Sequence, residues 1–431
     1  MIRSTAVLLV ATASLGFASQ GVAQETLAIR CGRLIDGRSD APVSNVVIVV
    51  RGDRIVEIGP RPDVPRGARR IDLSRGTCLP GLMDLHAHIL INPTAAVQND
   101  LGRSSADRAL DGLRNAQKML HAGFTTLRDP GDFDAYYASV AVRDAIAAGS
   151  FEGPRLFVAP HTLSITGGHG DINNLAPDLD IMIPTRIVNG PDEMRKTIRE
   201  QVKYGADWIK LMATGGVMSA GDDPNLTAFT EEELRAAVDE THRHGKRITV
   251  HAIGAEGIKA AVRAGVNSVE HGILIDEEGI QLMKERGTWL IPTVYVLNYI
   301  LEEGENLGYA EESIAKARAL VVERNQRMGR AFAAGVKIAY GSDTIFPHEF
   351  SAREFSAMVA LGLSTMDAIR AATGNAAEVL GIENDVGTLV PGMMADIVGV
   401  MGNPLDDISI LEDVKFVMKG GSVVKNDLPR T

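Results

Sequence analysis

At 431 residues, 45% hydrophobic and 23% charged, the chain is long enough for one large core and a lesser one, with the composition of an ordinary enzyme. Its formal charge of −11 argues against a nucleic-acid-binding face, which is normally basic, but leaves room for a local cationic pocket.

The first residues read as a targeting segment. Arg3 precedes the apolar stretch Ala6–Phe17, and small residues continue to Ala23. This predicts a signal over 1–24, cleaved near Ala23 or Gln24, and a periplasmic or secreted protein. No later apolar run reaches the roughly 18–20 residues that span a bilayer, so no membrane partner is expected. Cys31 and Cys78 suit either one disulfide or two separate buried thiols.

Residues 25–78 predict short strands at Thr26–Arg30, Asn45–Val50 and Arg54–Ile58, separated by turn clusters such as Arg51-Gly52-Asp53. The end of the chain reads alike: Ala395–Val400, Val414–Met418, a Gly420-Gly421 turn, then Ser422–Lys425. Two half-sized β pieces at opposite ends predict one small β-sandwich, 25–80 plus 383–431, with residues 81–382 inserted.

The inserted part alternates helical patterns with β-branched or apolar runs. Helices end at Gly123, Gly149, Gly205, Gly245, Gly265, Gly287 and Gly335, because glycine takes the left-handed conformation past a helix end. The predicted strands are Leu79–His88, Phe124–Asp129, Arg155–Pro160, Asp207–Met212, Arg247–His251, Val266–His271, Thr288–Pro292 and Lys337–Asp343. Eight β/α units predict a closed (β/α)8 TIM-type barrel, with an open doubly wound sheet as the alternative. Thr230 and Glu233 form a capping box opening one helix. Long loops follow strands three, four and seven, where such enzymes build pockets. Their glycine clusters lack the Gly-Lys-Ser/Thr ending of a phosphate loop and read as pocket walls.

Chemistry-bearing residues end the strands. His86 and His88, two apart, are expected to project together from strand one. Lys210 lies near the end of strand four, His251 and His271 end strands five and six, and Asp343 ends strand eight. Four imidazoles and a carboxylate exceed what one tetrahedral ion accepts, which predicts two divalent cations. An ammonium would repel them. Lys210 is therefore expected to react with carbon dioxide and to bridge as a carbamate. His161 and His169, on the strand-three loop, and Tyr295, after strand seven, are candidate substrate contacts. His121, His242, His244 and His348 read chiefly as structural or solvated. Trp208 shares strand parity with Lys210 and is expected one layer deeper. Arg128 and Asp129 end strand two, where an ion pair competes with catalysis.

The sequence resembles the amidohydrolase superfamily. The resemblance is carried by Cys78-Leu-Pro-Gly-Leu-Met-Asp-Leu-His-Ala-His88, Thr373-Gly-Asn-Ala-Ala377 and Gly387-Thr-Leu-Val-Pro-Gly392 with Ala395-Asp396. Ser164-Ile-Thr-Gly-Gly-His-Gly-Asp171, Lys210-Leu-Met-Ala-Thr-Gly-Gly-Val-Met-Ser219 and Ser268-Val-Glu-His-Gly272 look like its prolidase-like, ochratoxin-hydrolysing branch. The resemblance implies two zinc ions, one held by His86, His88 and Asp343, the other by His251 and His271, with Lys210 bridging. It implies Asp343 as proton carrier and His169 as a helper at the scissile carbonyl. It also implies a homo-oligomer, possibly an octamer. Some relatives carry Tyr two residues after the strand-five histidine; here that position is Ile253. The expected substrate is a small-molecule amide or dipeptide with a hydrophobic C-terminal residue, ochratoxin A foremost. An Xaa-Pro dipeptidase or N-acyl-amino-acid hydrolase is the alternative.

Overall fold

The computed structural model describes residues 25–92, 102–131, 134–179 and 182–429. The predicted signal, 1–24, lies outside the described residues. Both ends of the remaining chain meet in one sheet. Strands β1 (Thr26–Leu34), β2 (Val43–Arg51), β3 (Arg54–Gly59) and β4 (Arg69–Pro80) join β14 (Ile397–Met401), β15 (Phe416–Lys419) and β16 (Ser422–Asn426) in the order β16-β15-β14-β4-β1-β2-β3. Ile29, Cys31, Ile48, Leu73 and Phe416 are fully buried on its inner face. Edge strand β3 bends back toward the far side: Ile55 N–H donates to Met393 O at 2.9 Å, and Ala395 N–H to Asp53 O at 2.8 Å. Cys31 and Cys78 form a disulfide linking β1 to β4, which resolves the two possibilities their sequence left open.

Strand β4 extends the sequence expectation, since no strand was foreseen over 69–78. Its last five residues are all buried, paired along their length with β14, and the chain passes to the parallel strands just beyond them. Gly81 makes the crossing. A Cβ there would lie 2.1 Å from Thr125 Oγ1, so only glycine lets the two segments approach.

The parallel strands fall into two hydrogen-bonded groups. One is β5 (Leu82–Asp84), β6 (Phe124–Asp129) and β7 (Arg155–Val158). The other runs β13 (Trp289–Ile291), β12 (Ser268–His271), β11 (Arg247–Ala252), β10 (Trp208–Met212), β8 (Thr162–Ser164), β9 (Arg186–Ile187). Strand three is thus two pieces. β7 pairs with β6 and β8 with β10, and they part at Pro160, which has no N–H for a ladder. Strand eight is not a ladder strand. Residues 337–343 bond Leu290 on one side (Leu290 N–H to Lys337 O, 2.8 Å) and the strand-one segment on the other (Leu85 N–H to Tyr340 O, 2.9 Å; Asp343 N–H to His86 O, 2.7 Å). These bonds connect the last parallel segment to the first.

Helices α1 (Ser105–His121), α2 (Ala138–Ala147), α3 (Pro191–Lys203), α4 (Glu231–Arg243), α5 (Ala255–Ala264), α6 (Glu277–Arg286), α7 (Val294–Glu303), α8 (Glu311–Ala333), α9 (Arg353–Ala360), α10 (Thr365–Ala371) and α11 (Gly374–Leu380) separate these segments. All seven predicted helix-ending glycines have positive φ, and Thr230 and Glu233 make the expected capping box. Met119, Ile198, Leu234, Ile258 and Met328 bury against the strands. Met83, Leu85, Trp208, Trp289 and Ile291 form a separate apolar cluster. Trp208 sits in it as filling, two residues below Lys210 on β10.

Candidate active site

Strand one ends earlier than expected. β5 stops at Asp84, and His86 and His88 lie beyond it rather than on a strand. A side chain replaces the ladder there. Asp84 is fully buried; its Oδ1 accepts the N–H of His86 (3.0 Å) and of Ser342 (3.1 Å), and its Oδ2 accepts the Ser342 hydroxyl. Burial pushes the Asp84 carboxyl up to about 6 against those bonds. One carboxyl thus holds the backbone next to both His86 and Asp343.

The structure gathers all six predicted ligands. His88 Nε2 is 3.2 Å and His86 Nε2 3.6 Å from Asp343 Oδ1, and His271 Nδ1 is 3.9 Å from Asp343 Oδ2. Ring centroids are 5.0 Å apart for His86–His88 and His86–His271, and 4.6 Å for His251–His271. Lys210 is buried, and its charge acts on His86, His251, His271 and Asp343. His86, His271 and Asp343 bring ligand atoms within 4.8 Å of one another. This group crosses the two sets implied by the resemblance.

Each imidazole commits one nitrogen to the protein. His86 Nδ1 bonds Glu270 Oε2 (2.7 Å), His88 Nδ1 bonds Gly131 O (2.5 Å), His271 Nδ1 bonds Thr293 Oγ1 (2.7 Å), and His251 Nε2 bonds Gly215 O (3.1 Å). A carboxylate or carbonyl only accepts, so His86, His88 and His251 carry a proton there, which leaves the other ring nitrogen as the one a cation could take. Burial, then the neighbouring positive groups, holds His86, His251 and His271 well below the ordinary histidine range. Burial raises the Asp343 carboxyl, but His86, His88 and Lys210 outweigh it and bring it down to about 2. Neutral imidazoles and an ionised carboxylate are a donor set that fits divalent cations. Burial lowers the Lys210 amine to about 8, which leaves a sizeable unprotonated fraction near neutrality. His271, Thr293 and Asp343 have φ of 70°, 45° and 59°. Such backbone costs roughly 1–3 kcal/mol each and collects at functional sites.

The other candidates divide. His169 comes to the cluster, its ring 4.4 Å from that of His251. His161 is buried edge-on to Tyr137 at 4.7 Å and lowered to about 4 by burial, and among the described residues its ring contact is with Tyr137 rather than with the cluster. Tyr295 is buried on α7 against Phe346, and its hydroxyl accepts from Arg353 at 2.8 Å. His348 Nε2 donates to His88 O (3.0 Å). His121 pairs with Glu152, His242 with Asn267 and His244 with Glu240. Arg128 takes Glu270 as an ion partner. Its guanidinium lies 4.6 Å over Trp208 and bonds Glu270 Oε1 at 2.6 Å, both side chains fully buried. Glu270, Asp84 and Thr293 are the residues that sequence reasoning missed. The signal for Glu270 was present: a carboxylate within Ser268-Val-Glu-His, inside an otherwise buried strand.

The amidohydrolase family model matches residues 77–424. The ochratoxinase of Aspergillus niger is 34% identical over 92% of this chain and 86% of its own length, and its crystal structure superposes with a TM-score of 0.83, covering 94% of this chain and 96% of that one. A Xaa-Pro dipeptidase solved with methionine in its active site has a TM-score of 0.88 at 37% identity, over 93% of this chain and all of that one. A match this long, in sequence and in structure, makes the chain a member of the amidohydrolase family and a hydrolase of amide bonds.

Proposed function

We propose that the protein is a binuclear, metal-dependent amidohydrolase that cleaves the amide joining an acyl group to a hydrophobic C-terminal amino acid, with ochratoxin A, split to ochratoxin alpha and phenylalanine, as its leading substrate. The observation that carries the reading is the convergence of His86, His88 and His271 on Asp343, with the His251 ring against that of His271, and one nitrogen of each imidazole engaged by the protein. His86, His88, Asp343, His251 and His271 would hold two zinc ions with Lys210 between them. When bound, such ions acidify water toward neutrality and polarise a carbonyl. Lys210 Nζ adds to the carbon of carbon dioxide and releases one proton, giving an anionic carbamate suited to bridging. Asp343, ionised throughout the neutral range, takes the proton of the attacking water and hands it to the leaving amine. His169 holds the scissile carbonyl oxygen. Buried Tyr295, Tyr299 and Phe346 stack near one another, an aromatic wall of the kind that suits a phenylalanyl group; in this reading Tyr295 meets the substrate carboxylate and His161 lines the strand-three loop.

The fold that belongs with this reading is a closed (β/α)8 barrel, 81–382, carrying a β-sandwich formed by 25–80 and 383–431. The linking bonds of residues 337–343 and the back-bonded β3 edge support it. The disulfide supports export behind a signal over 1–24. We also assign a homo-oligomer, up to an octamer, which light scattering would measure.

The test is a panel of ochratoxin A, N-acyl-phenylalanines and Xaa-Pro dipeptides, run before and after chelation. The expected result is fastest cleavage of ochratoxin A, loss on chelation and recovery with zinc. Undiminished rates after chelation sink the metal reading. A second reading, Xaa-Pro dipeptidase, is favoured by the likeness to the dipeptidase structure, and faster Xaa-Pro cleavage would establish it instead.

A further inference from the structure

The strand-four loop folds back into a tight turn at the edge of the candidate ligand cluster. Gly215 packs so closely on Asp223 that an added Cβ would lie 2.4 Å from Asp223 O. Gly216 N–H donates to Asp222 Oδ2 at 2.9 Å. One side of the turn faces the cluster, where Gly215 O accepts from His251 Nε2 at 3.1 Å. At Gly216 an added Cβ would fall 2.2 Å from His169 Cε1, so the His169 ring rests against bare backbone.

The same turn carries the strand-three loop. Ser219 Oγ hydrogen-bonds the His169 ring and accepts Gly170 N–H at 3.3 Å. Asn173 Nδ2 donates to Ala220 O at 3.0 Å and to Gly167 O at 3.1 Å. Support comes from behind, from the start of α8. Lys316 Nζ donates to Ser219 O (2.8 Å), to Asp222 Oδ1 (2.9 Å) and, more weakly, to Gly216 O (3.3 Å). Glu312, one helical turn earlier, pairs with Lys316 at 3.0 Å and accepts Gly221 N–H at 3.0 Å. The Lys316 and Asp222 side chains are only 15% and 5% exposed, whereas none of residues 219–223 is a buried apolar residue. Apolar burial does not fix the tip of the turn; these polar bonds do.

We propose that Lys316 is a positioning residue of the active site: from α8 it holds the turn 215–223, and through that turn it holds the strand-three loop and His169 where a bound amide meets them. This rests on the reading of His169 as a substrate contact. Without the ammonium, the Asp222 carboxylate is left nearly buried and without its counter-charge. It then gains by turning to water, which opens the turn and lets the strand-three loop drift. A displacement of His169 by about 1 Å is enough to cost about 100-fold in rate.

Amide hydrogen exchange of the full chain reads this hold without any substrate. Lys316→Met and Asp222→Asn should each speed exchange roughly tenfold in residues 167–173 as well as 216–222, with β10 and β11 unchanged. Faster exchange confined to 216–222 would overturn the proposal. With an amide substrate, Lys316→Met should lower kcat/KM roughly 10- to 100-fold at unchanged zinc content. Cys31 and Cys78 are bridged to each other, so the thiol introduced by Lys316→Cys can be alkylated alone with bromoethylamine, which returns an ammonium at nearly the same reach. Most of the lost activity should come back, and no recovery after complete alkylation rejects the role. In a His169→Asn background Lys316→Met should cost little more. An equal further loss there would also reject it, because the effect would not pass through His169. Full activity of His169→Asn, with exchange as expected, would instead overturn the substrate-contact reading and the positioning role with it.

Discussion

Glu270 binds two groups that cannot both do without it. One oxygen takes His86 Nδ1, the other Arg128, and the whole trio is buried. In Glu270→Gln the Arg128 cation loses its counter-charge in a dry interior. Breaking such a buried pair costs about 3–5 kcal/mol, so a marked fall in thermal midpoint is expected. His86 also loses its fixed tautomer, and zinc affinity should drop roughly 10- to 100-fold; metal titration of the folded variant measures this. Lys210 makes a second test at this scale. Lys210→Ala should lose hydrolysis and regain part of it with short carboxylic acids, which supply the missing oxygens. Because burial brings the amine to about 8, its unprotonated fraction grows as pH rises through that value. Reactivation of metal-free enzyme by zinc and bicarbonate should therefore be slower at pH 6.5 than at pH 8.5, at equal dissolved carbon dioxide. A pH-independent rate would remove the amine from the step.

Helix α7 shows how an element holds a candidate ligand. Its N-cap, Thr293, is left-handed and offers no side-chain cap, because its hydroxyl is taken by His271. The first N–H groups are instead accepted by Glu354 of α9, from Val294 at 2.7 Å and Tyr295 at 2.6 Å. Burial drives the Glu354 carboxyl well above its ordinary range, against those two bonds and Arg324. Glu354→Ala leaves two buried donors unsatisfied, worth about 1–3 kcal/mol each, and frees Thr293 to leave its strained conformation. The expected outcome is a lower melting temperature together with weakened zinc binding at His271. A variant that melts lower but binds zinc as before would confine Glu354 to stability.

For the whole molecule, the Cys31–Cys78 bridge closes a sequence separation of 47 residues, and chain-entropy reasoning gives it about 4 kcal/mol. Cys31→Ser with Cys78→Ser should lower the unfolding midpoint accordingly. The rate per folded molecule should stay the same, since the bridge joins strands of the terminal sheet. A reduced rate in fully folded protein would show that this sheet tunes the site.

What could be read from the chain alone is what depends on residue type and local spacing. Seven glycines marked helix ends because only glycine takes positive φ cheaply. That His86, His88, His251, His271 and Asp343 would come together was legible because imidazoles and carboxylates rarely close so many predicted strands by chance. Interactions between distant segments were not legible. Arg128 and Glu270 are 142 positions apart, and neither end says which partner the other will take. Strand one stops short because Asp84 bonds Ser342, 258 positions away, in place of a ladder. The sequence decides which groups can serve a cation; the tertiary packing decides which nitrogen each imidazole has left to offer, because that depends on acceptors brought from elsewhere in the fold.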